Sequence, residues 1–257
     1  KRIICYINDG DIFQTNFTHK FIAQKPANLS ENLFYINFRN NTRTPFSAFL
    51  NFEDICICSF SPERFIKVDS LKVTTSPIKG TVKTSANKIK DNILKESLIK
   101  SEKNLAENLM IVDVLRNDIS KVCIKGSVKV KELAELKSYK NVHHLVSTIE
   151  GNLRSKKDIL NLLIACLPGG SVTGAPKIRA MEIISELEKS QRGVYCGAIG
   201  YISFSGDADF NIPIRTATIF NNQISINCGG GIVADSKPES EFCESIDKIS
   251  NIIKNGK

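Results

Sequence analysis

The sequence predicts an α+β fold built around large antiparallel sheets, and three features of its 257 residues predict it. Strand-like and helix-like segments come in runs, whereas a parallel α/β fold would alternate them strictly. The β-rich runs of the C-terminal half are separated by short turns containing Gly, Asn and Asp, which favour hairpins. Elsewhere apolar residues recur at helical spacing. Because no repeat, low-complexity tract or Pro-rich linker interrupts the chain, we expect a single domain over residues 1–257.

The elements follow in order along the chain. The predicted strands are residues 54–60, 65–74, 194–204, 210–220 and 223–228. The predicted helices are residues 88–117, 156–167, 176–190 and a last helix that begins near residue 235. Pro176 and Pro238 lie in the first turns of the last two helices, where a missing N–H costs nothing. Since the last three strands are joined by short turns, we expect them to form one antiparallel meander.

Composition excludes several classes of protein. Hydrophobic residues make up 42% and charged residues 24%, which is typical of a globular protein. No apolar run reaches the roughly 20 residues that span a bilayer, and no signal peptide is visible, so we expect no membrane association. The net charge of +8 comes from lysines spread along the chain without Trp, so we expect no nucleic-acid binding. Eight cysteines without a Cys-x-x-Cys pair favour reduced, buried thiols in a cytoplasmic protein over zinc ligands or disulfides.

Three glutamates are candidate ligands of a hard cation. Glu107 lies in a helical segment that is apolar on nearly all sides, so its carboxylate needs either an ion-pair partner or a metal. Glu241 and Glu244 are three residues apart on the last helix and share one face, which Lys248 extends. Carboxylates from two helices are suitable ligands for Mg²⁺, although such a pair on a surface helix is also commonly just solvated.

Two glycine-rich segments are candidate anion sites. Residues 168–177 have the Gly-x-x-x-x-Gly spacing of a phosphate loop, but Ala175 stands where the lysine is required, so this is not such a loop. What remains is either a plain tight turn or a turn that presents a helix N-terminus to a carboxylate. Gly229, Gly230 and Gly231 precede the last helix, and glycines let the backbone approach a ligand closely.

Two basic residues stand in unusual surroundings. Arg215 lies within an apolar run that we predict to be a strand, where it needs a carboxylate partner from the protein or from a substrate. Lys79 lies between a proline and a glycine, where a turn would present it either to solvent or to a reacting group. Residue chemistry alone leaves both choices open.

Together these segments closely resemble the chorismate-utilising enzymes, a family that includes anthranilate, aminodeoxychorismate, isochorismate and salicylate synthases. The similarity runs in family order over almost the whole chain. The matching segments are residues 10–14, 61–65, 77–81, 106–113, 116–119, 144–147, 168–179, 195–201, 214–216, 229–236 and 241–244. The resemblance implies two large antiparallel sheets packed as a sandwich and flanked by helices. Relatives carry about two hundred further N-terminal residues, which we expect to be missing or reduced here.

The resemblance also implies roles for single residues. Glu107, Glu241 and Glu244 match glutamates that bind Mg²⁺, which anchors the ring carboxylate of chorismate. Tyr195 and Arg215 match residues that hold the enolpyruvyl carboxylate, together with the backbone of Gly229, Gly230 and Gly231. Glu63 matches the general acid that protonates the departing C4 hydroxyl. The other matching active-site positions are Gln14, His144, Thr173 and Lys248.

Lys79 indicates the branch of the family. Residues 77–81 read Pro-Ile-Lys-Gly-Thr, as in the aminodeoxychorismate synthases, whereas anthranilate synthases typically have alanine in place of the lysine. This likeness implies that Lys79 attacks chorismate and that ammonia from a separate glutamine amidotransferase subunit then adds at C4. The expected product is 4-amino-4-deoxychorismate, on the route to 4-aminobenzoate and folate. The alternative is anthranilate synthase component I, which aminates C2 and eliminates pyruvate.

Overall fold

The computed structural model describes residues 1–42, 44–139 and 142–254, with side chains described up to residue 250. Backbone contacts divide the chain into two compact units, each assembled from non-contiguous segments. The six-stranded unit contains residues 1–63, 171–199 and 211 onward, and the seven-stranded unit contains residues 64–170 and 200–210. Each unit has one sheet and its own helices, so the predicted α+β class with two antiparallel sheets is confirmed.

The six-stranded unit is built on one antiparallel sheet with the order β2-β3-β12-β13-β1-β9. Its strands are β1 (Gln14–Gln24), β2 (Phe46–Asn51), β3 (Ile55–Ser61), β9 (Gly174–Ala175), β12 (Thr216–Phe220) and β13 (Gln223–Ile232). Its helices are α1 (Arg2–Asn8), α2 (Glu31–Thr42), α6 (Lys177–Leu187) and α7 (Pro238–Lys254). Phe34 and Phe38 of α2 pack on Phe60 of the sheet, and Ile249 of α7 joins the same core. A second cluster joins Ile3 to Ala180 and Ile183.

The seven-stranded unit has the sheet order β10-β11-β4-β5-β8-β6, and β7 pairs with the other edge of β8. Its strands are β4 (Arg64–Asp69), β5 (Lys72–Thr75), β6 (Ile78–Lys83), β7 (Lys129–Ser138), β8 (Val142–Asn152), β10 (Ile199–Ile202) and β11 (Ala208–Asn211). Its helices are α3 (Lys88–Ile99), α4 (Glu102–Ser120) and α5 (Ile159–Cys166), and α4 packs on β6 and β8. Short 3-10 helices lie at Lys156–Asp158 and Gly170–Val172, and the latter ends in the six-stranded unit.

The predicted helix over residues 88–117 is in fact two helices. α3 ends at Ile99, and Ser101 caps α4 by accepting a hydrogen bond from the Asn104 N–H at 3.4 Å. Serine before a helix offers its own oxygen to the free N–H groups of the first turn, so it favours a new start over continuation. Apolar residues do surround Glu107, but the helix is not buried on all sides as that pattern predicts, since Leu105 and Leu109 are 36% and 51% exposed. One stripe is buried, through Ile111, Leu115 and Ile119.

The predicted C-terminal meander is two hairpins that belong to different sheets. β10 and β11 pair in the seven-stranded unit, whereas β12 and β13 pair in the six-stranded unit. The predicted strand over residues 210–220 breaks because Pro213 lacks an N–H and Arg215 adopts a φ of +52°. The predicted strand over residues 194–204 is shorter, because residues 192–197 form a turn in which Cys196 has a φ of +68°. Arg215 therefore lies between strands and not inside one, which corrects the prediction made for it.

In the described part of the chain, no helix is both long enough and apolar enough to cross a membrane. The eight cysteines are all free, and six of them are buried. The buried thiols fill core space, as a small apolar side chain would. This agrees with the thiol state that the cysteine pattern predicts.

Candidate active site

The seven-stranded unit joins Lys79 to Glu107 in an ion pair. Lys79 Nζ lies 2.9 Å from Glu107 Oε1, and the two side chains are 14% and 18% exposed. The predicted turn around Lys79 is wrong, because the lysine lies in strand β6 at a β-bulge. Gly80 makes the bulge with a φ of +72°, and a Cβ there would lie 2.9 Å from Leu98 Cδ1. Only glycine fits this conformation and spacing, so Gly80 allows the bulge to pack closely against the neighbouring helix.

His144 lies beside this pair on the same sheet. The bulge leaves Lys79 paired with Leu145 of β8 and Thr81 paired with His144. Thr81 Oγ1 lies 2.8 Å from His144 Nδ1, which fixes the plane of the imidazole ring. The ring of Tyr139 meets the imidazole edge-on, with 5.7 Å between ring centroids. Strands β6 and β8 thus carry an amine and an imidazole, and helix α4, which packs on both strands, supplies the carboxylate.

The six-stranded unit holds the candidate acid Glu63. This residue follows β3, is 8% exposed and accepts a hydrogen bond from Ser171 Oγ at 2.7 Å. Ser61 Oγ accepts from the Glu63 backbone N–H at 3.1 Å and donates to the Ile212 carbonyl at 2.6 Å. These bonds fix the backbone and the carboxyl group of Glu63. A buried, well-oriented carboxyl group is the kind of side chain that serves as a general acid.

Tyr195 and Arg215 contribute a hydroxyl and a cation to the same unit. Tyr195 is 8% exposed, and burial raises the pKa of its hydroxyl well above the usual value, so it stays a protonated donor. Arg215 is exposed, but the surrounding protein removes part of its hydration and lowers the pKa of its guanidinium. An arginine nevertheless stays charged at neutral pH. Within the described residues Arg215 has no carboxylate partner, so it is available to an anion.

Gly230 faces three side chains of helix α7. A Cβ built on Gly230 would lie 3.2 Å from Lys248 Nζ, 3.6 Å from Glu241 Oε2 and 4.0 Å from Glu244 Oε1. The absent side chain therefore leaves a space on which one amine and two carboxylates converge. Lys248 Nζ pairs with Glu244 Oε1 at 2.7 Å and also donates to the Gly229 carbonyl at 3.1 Å. Ser236 Oγ donates to Glu241 Oε1 at 2.6 Å.

This space suits an oxygen-coordinated cation in its donor chemistry, because two carboxylates face it and water or a ligand can supply further oxygens. Among the described residues, no group of three or more His, Cys, Asp or Glu side chains is gathered closely enough to hold a metal. The predicted set of three glutamates is divided between the units, with Glu107 in one and Glu241 and Glu244 in the other. The metal assignment therefore stays a prediction.

Gln14 and Thr173 lie where β1 meets the glycine-rich segment. Both are 2% exposed, and Gln14 pairs with Ala175 across β1 and β9. The Thr173 carbonyl accepts from the Asn16 N–H at 2.6 Å. A Cβ on Gly174 would lie 2.2 Å from the Gln14 carbonyl oxygen, so no larger residue allows this pairing. The glycine-rich segment is thus held against β1 before it enters α6.

The sequence did not single out three side chains that the structure connects to these positions. Arg192 and Glu188 form a buried ion pair of 2.6 Å beneath the Tyr195 turn. Ser171, inside the glycine-rich segment, bonds to Glu63. A buried Arg–Glu pair four residues apart at a helix end is a weak pattern, and only the tertiary contacts distinguish it from a surface pair.

Comparison with known proteins places the chain in a family. The profile of the chorismate binding enzymes matches residues 1–254, so this chain belongs to the chorismate binding enzyme family. Aminodeoxychorismate synthase component 1 of Escherichia coli (strain K12) is 48% identical over 249 residues, which cover 97% of this chain and 54% of that protein. Anthranilate synthase component 1 of Aquifex aeolicus (strain VF5) is 40% identical over 249 residues, covering 97% of this chain and 50% of that protein.

A solved structure shows the same fold. The crystal structure of anthranilate synthase component I from Streptococcus pneumoniae TIGR4 matches with a TM-score of 0.88 and 38% sequence identity. The match covers 98% of this chain and 55% of that one. The chain therefore spans about half the length of the relatives it matches.

Proposed function

We propose that the chain catalyses the amination of chorismate at C4 to 4-amino-4-deoxychorismate, with ammonia supplied by a glutamine amidotransferase partner. The observation that carries the proposal is Lys79, held in β6 with its amine 2.9 Å from the Glu107 carboxylate. Direct amination at C2 needs no lysine at this position, whereas amination at C4 through an enzyme-bound intermediate needs a nucleophile. The relative from Escherichia coli, which bears the name of this activity, supports the same choice.

The proposed reaction begins when Lys79 Nζ attacks C2 of chorismate. The two ring double bonds shift, the C4–O bond breaks, and Glu63 gives its proton to the departing hydroxyl so that it leaves as water. Ammonia then adds at C4, the double bonds shift back, and the bond to Lys79 breaks, while the proton lost from the new C4 nitrogen returns to Glu63. The ring returns to its original diene with nitrogen at C4 and the enolpyruvyl ether intact. Attack requires the lone pair of Lys79, so its ammonium form is unreactive.

The charged and hydroxyl groups of the six-stranded unit would orient the substrate. Arg215 and the protonated hydroxyl of Tyr195 would hold the enolpyruvyl carboxylate, because a guanidinium pairs with both oxygens of a carboxylate. Within this unit Glu241 and Glu244, which face the space in front of Gly230, are the carboxylates that would hold Mg²⁺, while Glu107 is paired with Lys79 in its own unit. A bound Mg²⁺ would neutralise the ring carboxylate of chorismate.

Anthranilate synthesis is the second candidate. It is favoured by the 40% identity to the Aquifex aeolicus relative and by the likeness to the Streptococcus pneumoniae structure. Both reactions use chorismate and ammonia, but anthranilate formation releases pyruvate from the enolpyruvyl group. Analysis of the products therefore distinguishes the two reactions directly.

The test is product analysis of the purified chain with chorismate, Mg²⁺ and ammonium salt. We expect 4-amino-4-deoxychorismate from the wild type and a loss of at least about 100-fold in Lys79→Ala, because the nucleophile is gone. Lys83→Ala is the matched control, since Lys83 lies on the same strand but is exposed.

Two outcomes would contradict the proposal. Anthranilate with an equal amount of pyruvate would identify the second candidate as correct. Absence of any aminated product, both with ammonium salt and with glutamine plus an added amidotransferase, would refute amination altogether.

A further inference from the structure

The Arg192–Glu188 pair ties together three segments of the six-stranded unit. Arg192 Nε and Nη2 donate to the two Glu188 carboxylate oxygens at 2.9 and 2.6 Å. Arg192 Nη1 donates to the Val172 carbonyl at 2.7 Å, and Nη2 donates to the Asn16 carbonyl at 2.7 Å. Glu188 Oε1 also accepts from the Thr18 N–H at 2.9 Å. A planar guanidinium satisfies several acceptors in fixed directions, which a lysine ammonium cannot do.

Each tied segment carries a residue of the candidate site. Val172 precedes Thr173, Asn16 lies two residues after Gln14, and the Arg192 carbonyl accepts from the Tyr195 N–H at 3.2 Å. The pair is largely shielded from solvent, with side chains that are 15% and 6% exposed. Burial alone would lower the pKa of Arg192, but the hydrogen bonds and charge of Glu188 raise it above its ordinary value. Arg192 therefore stays charged, and its four hydrogen bonds fix the position of its guanidinium.

We infer that Arg192 and Glu188 are positioning residues, which hold the Thr173 segment and the Tyr195 turn in register for the substrate carboxylate. The inference rests on the proposed function and deepens it. Neither side chain needs to touch substrate. Small displacements of binding groups weaken a substrate complex strongly, so loss of the tie acts through Thr173 and Tyr195.

The alternative is a pair that only stabilises the fold, and another ion pair of the same unit provides the comparison. Lys25 Nζ lies 3.1 Å from Glu31 Oε1 and donates to the Leu29 carbonyl at 3.0 Å, with a lysine side chain that is 14% exposed. It joins the far end of β1 to α2, away from the segments that carry Gln14, Thr173 and Tyr195. Lys25→Ala therefore removes a comparable contact without disturbing the site.

The experiment compares Arg192→Lys, Arg192→Ala and Glu188→Gln with Lys25→Ala and the wild type. For Arg192→Ala we expect the chorismate KM to rise roughly tenfold or more while kcat falls less, because substrate-binding groups are displaced. Arg192→Lys should recover only part of the affinity, since an ammonium lacks the fork geometry. Guanidinium ion at millimolar concentration should restore affinity to Arg192→Ala and leave Lys25→Ala unchanged. Thermal melting of each variant measures the structural contribution.

The outcomes separate the positioning role from the proposed reaction. A wild-type enzyme that forms anthranilate would overturn C4 amination, while the KM comparison would still test the tie. An active wild type whose Arg192 and Glu188 variants match Lys25→Ala in KM, with only their melting temperatures lowered, would overturn the positioning role.

Discussion

At the scale of single residues, the cations of the candidate site differ in whether the protein supplies a counter-charge. Most cations of the candidate site have a carboxylate within 3 Å, as Lys79 has Glu107, Arg192 has Glu188 and Lys248 has Glu244. Arg215 is different, because no carboxylate of the described chain pairs with it. Its φ of +52° also costs backbone strain that an ordinary surface arginine would avoid. An anionic ligand would explain both features.

Arg215→Ala should therefore weaken substrate binding and spare the fold. Loss of a charge-assisted hydrogen bond costs about 1.5–3 kcal/mol, so the chorismate KM should rise about 10- to 100-fold. Alanine carries the same Cβ at the same φ, and no protein ion pair is lost, so stability should change by less than about 0.5 kcal/mol.

Steady-state kinetics and thermal melting check this prediction together. Arg179→Ala is the control, because Arg179 pairs with Asp11 and Glu182 on the exposed face of α6. An unchanged KM in Arg215→Ala would remove this arginine from the binding site. A large fall in melting temperature would instead assign it a structural role.

At the scale of elements, the C-terminal part of strand β13 contains two glycines with different roles. A Cβ on Gly229 would lie 1.9 Å from the Phe17 carbonyl oxygen, so it would collide with the backbone of β1. A Cβ on Gly230 would meet only the ends of flexible side chains, of which Lys248 Nζ is nearest at 3.2 Å. Gly229 is therefore needed for strand pairing, whereas Gly230 keeps open the space that Glu241 and Glu244 face.

The two alanine substitutions should consequently differ in kind. Gly229→Ala should destabilise the chain by about 3 kcal/mol, because β1 and β13 must separate to admit a methyl group. Gly230→Ala should change stability by less than about 0.5 kcal/mol, since the neighbouring side chains can move. It should nevertheless raise the chorismate KM or the Mg²⁺ concentration needed for activity, because the methyl group fills the open space.

Urea unfolding gives the stability of each variant, and activity at varied chorismate and Mg²⁺ gives the binding effect. Equal stability of the two variants would contradict the assigned role of Gly229. A Gly230→Ala enzyme with wild-type requirements for substrate and metal would show that the space in front of this glycine holds neither.

At the scale of the whole molecule, the sequence predicts which helices and strands form. It predicts much less well which sheet each strand joins. The helix over residues 176–190 is present as α6 because its proline start and apolar spacing are local signals. The hairpins β10–β11 and β12–β13 also follow from local turns, but their assignment to separate units does not. Strand partners depend on contacts distant in sequence, which a pattern of apolar residues does not encode.

The candidate site shows the same division. Glu241, Glu244 and Lys248 are related by helical spacing, and the structure places them together at Gly230. The pairing of Lys79 with Glu107 depends on a bulge in β6, and the contacts of Arg192 depend on three segments that meet only in the folded chain. Family resemblance pointed to Lys79 and Glu107 but not to the Arg192–Glu188 pair. Residues that act through other residues leave little trace in a single sequence.

The distribution of thiols gives a prediction that tests the described cores as a whole. Cys5 and Cys243 are exposed, and the other six cysteines are buried. Burial raises the pKa of Cys123 to about 11 and that of Cys196 to about 12, and Cys58 is also shifted upward by burial. Alkylation needs an accessible thiolate, so Cys58, Cys123 and Cys196 lack both requirements at neutral pH, and burial protects the other buried thiols.

Brief treatment of the native protein with iodoacetamide should therefore modify the two exposed cysteines and leave the other six intact. In denaturant all eight should react. Mass spectrometry of the intact chain counts the added groups, and peptide mapping locates them. A Cys5→Ser, Cys243→Ser double variant should acquire none under native conditions, which makes it the control.

Rapid native labelling of Cys58, Cys123 or Cys196 would mean that the surrounding core opens readily. Labelling of Cys196 would matter most, because it adjoins Tyr195 in the turn that the Arg192 tie is inferred to hold closed.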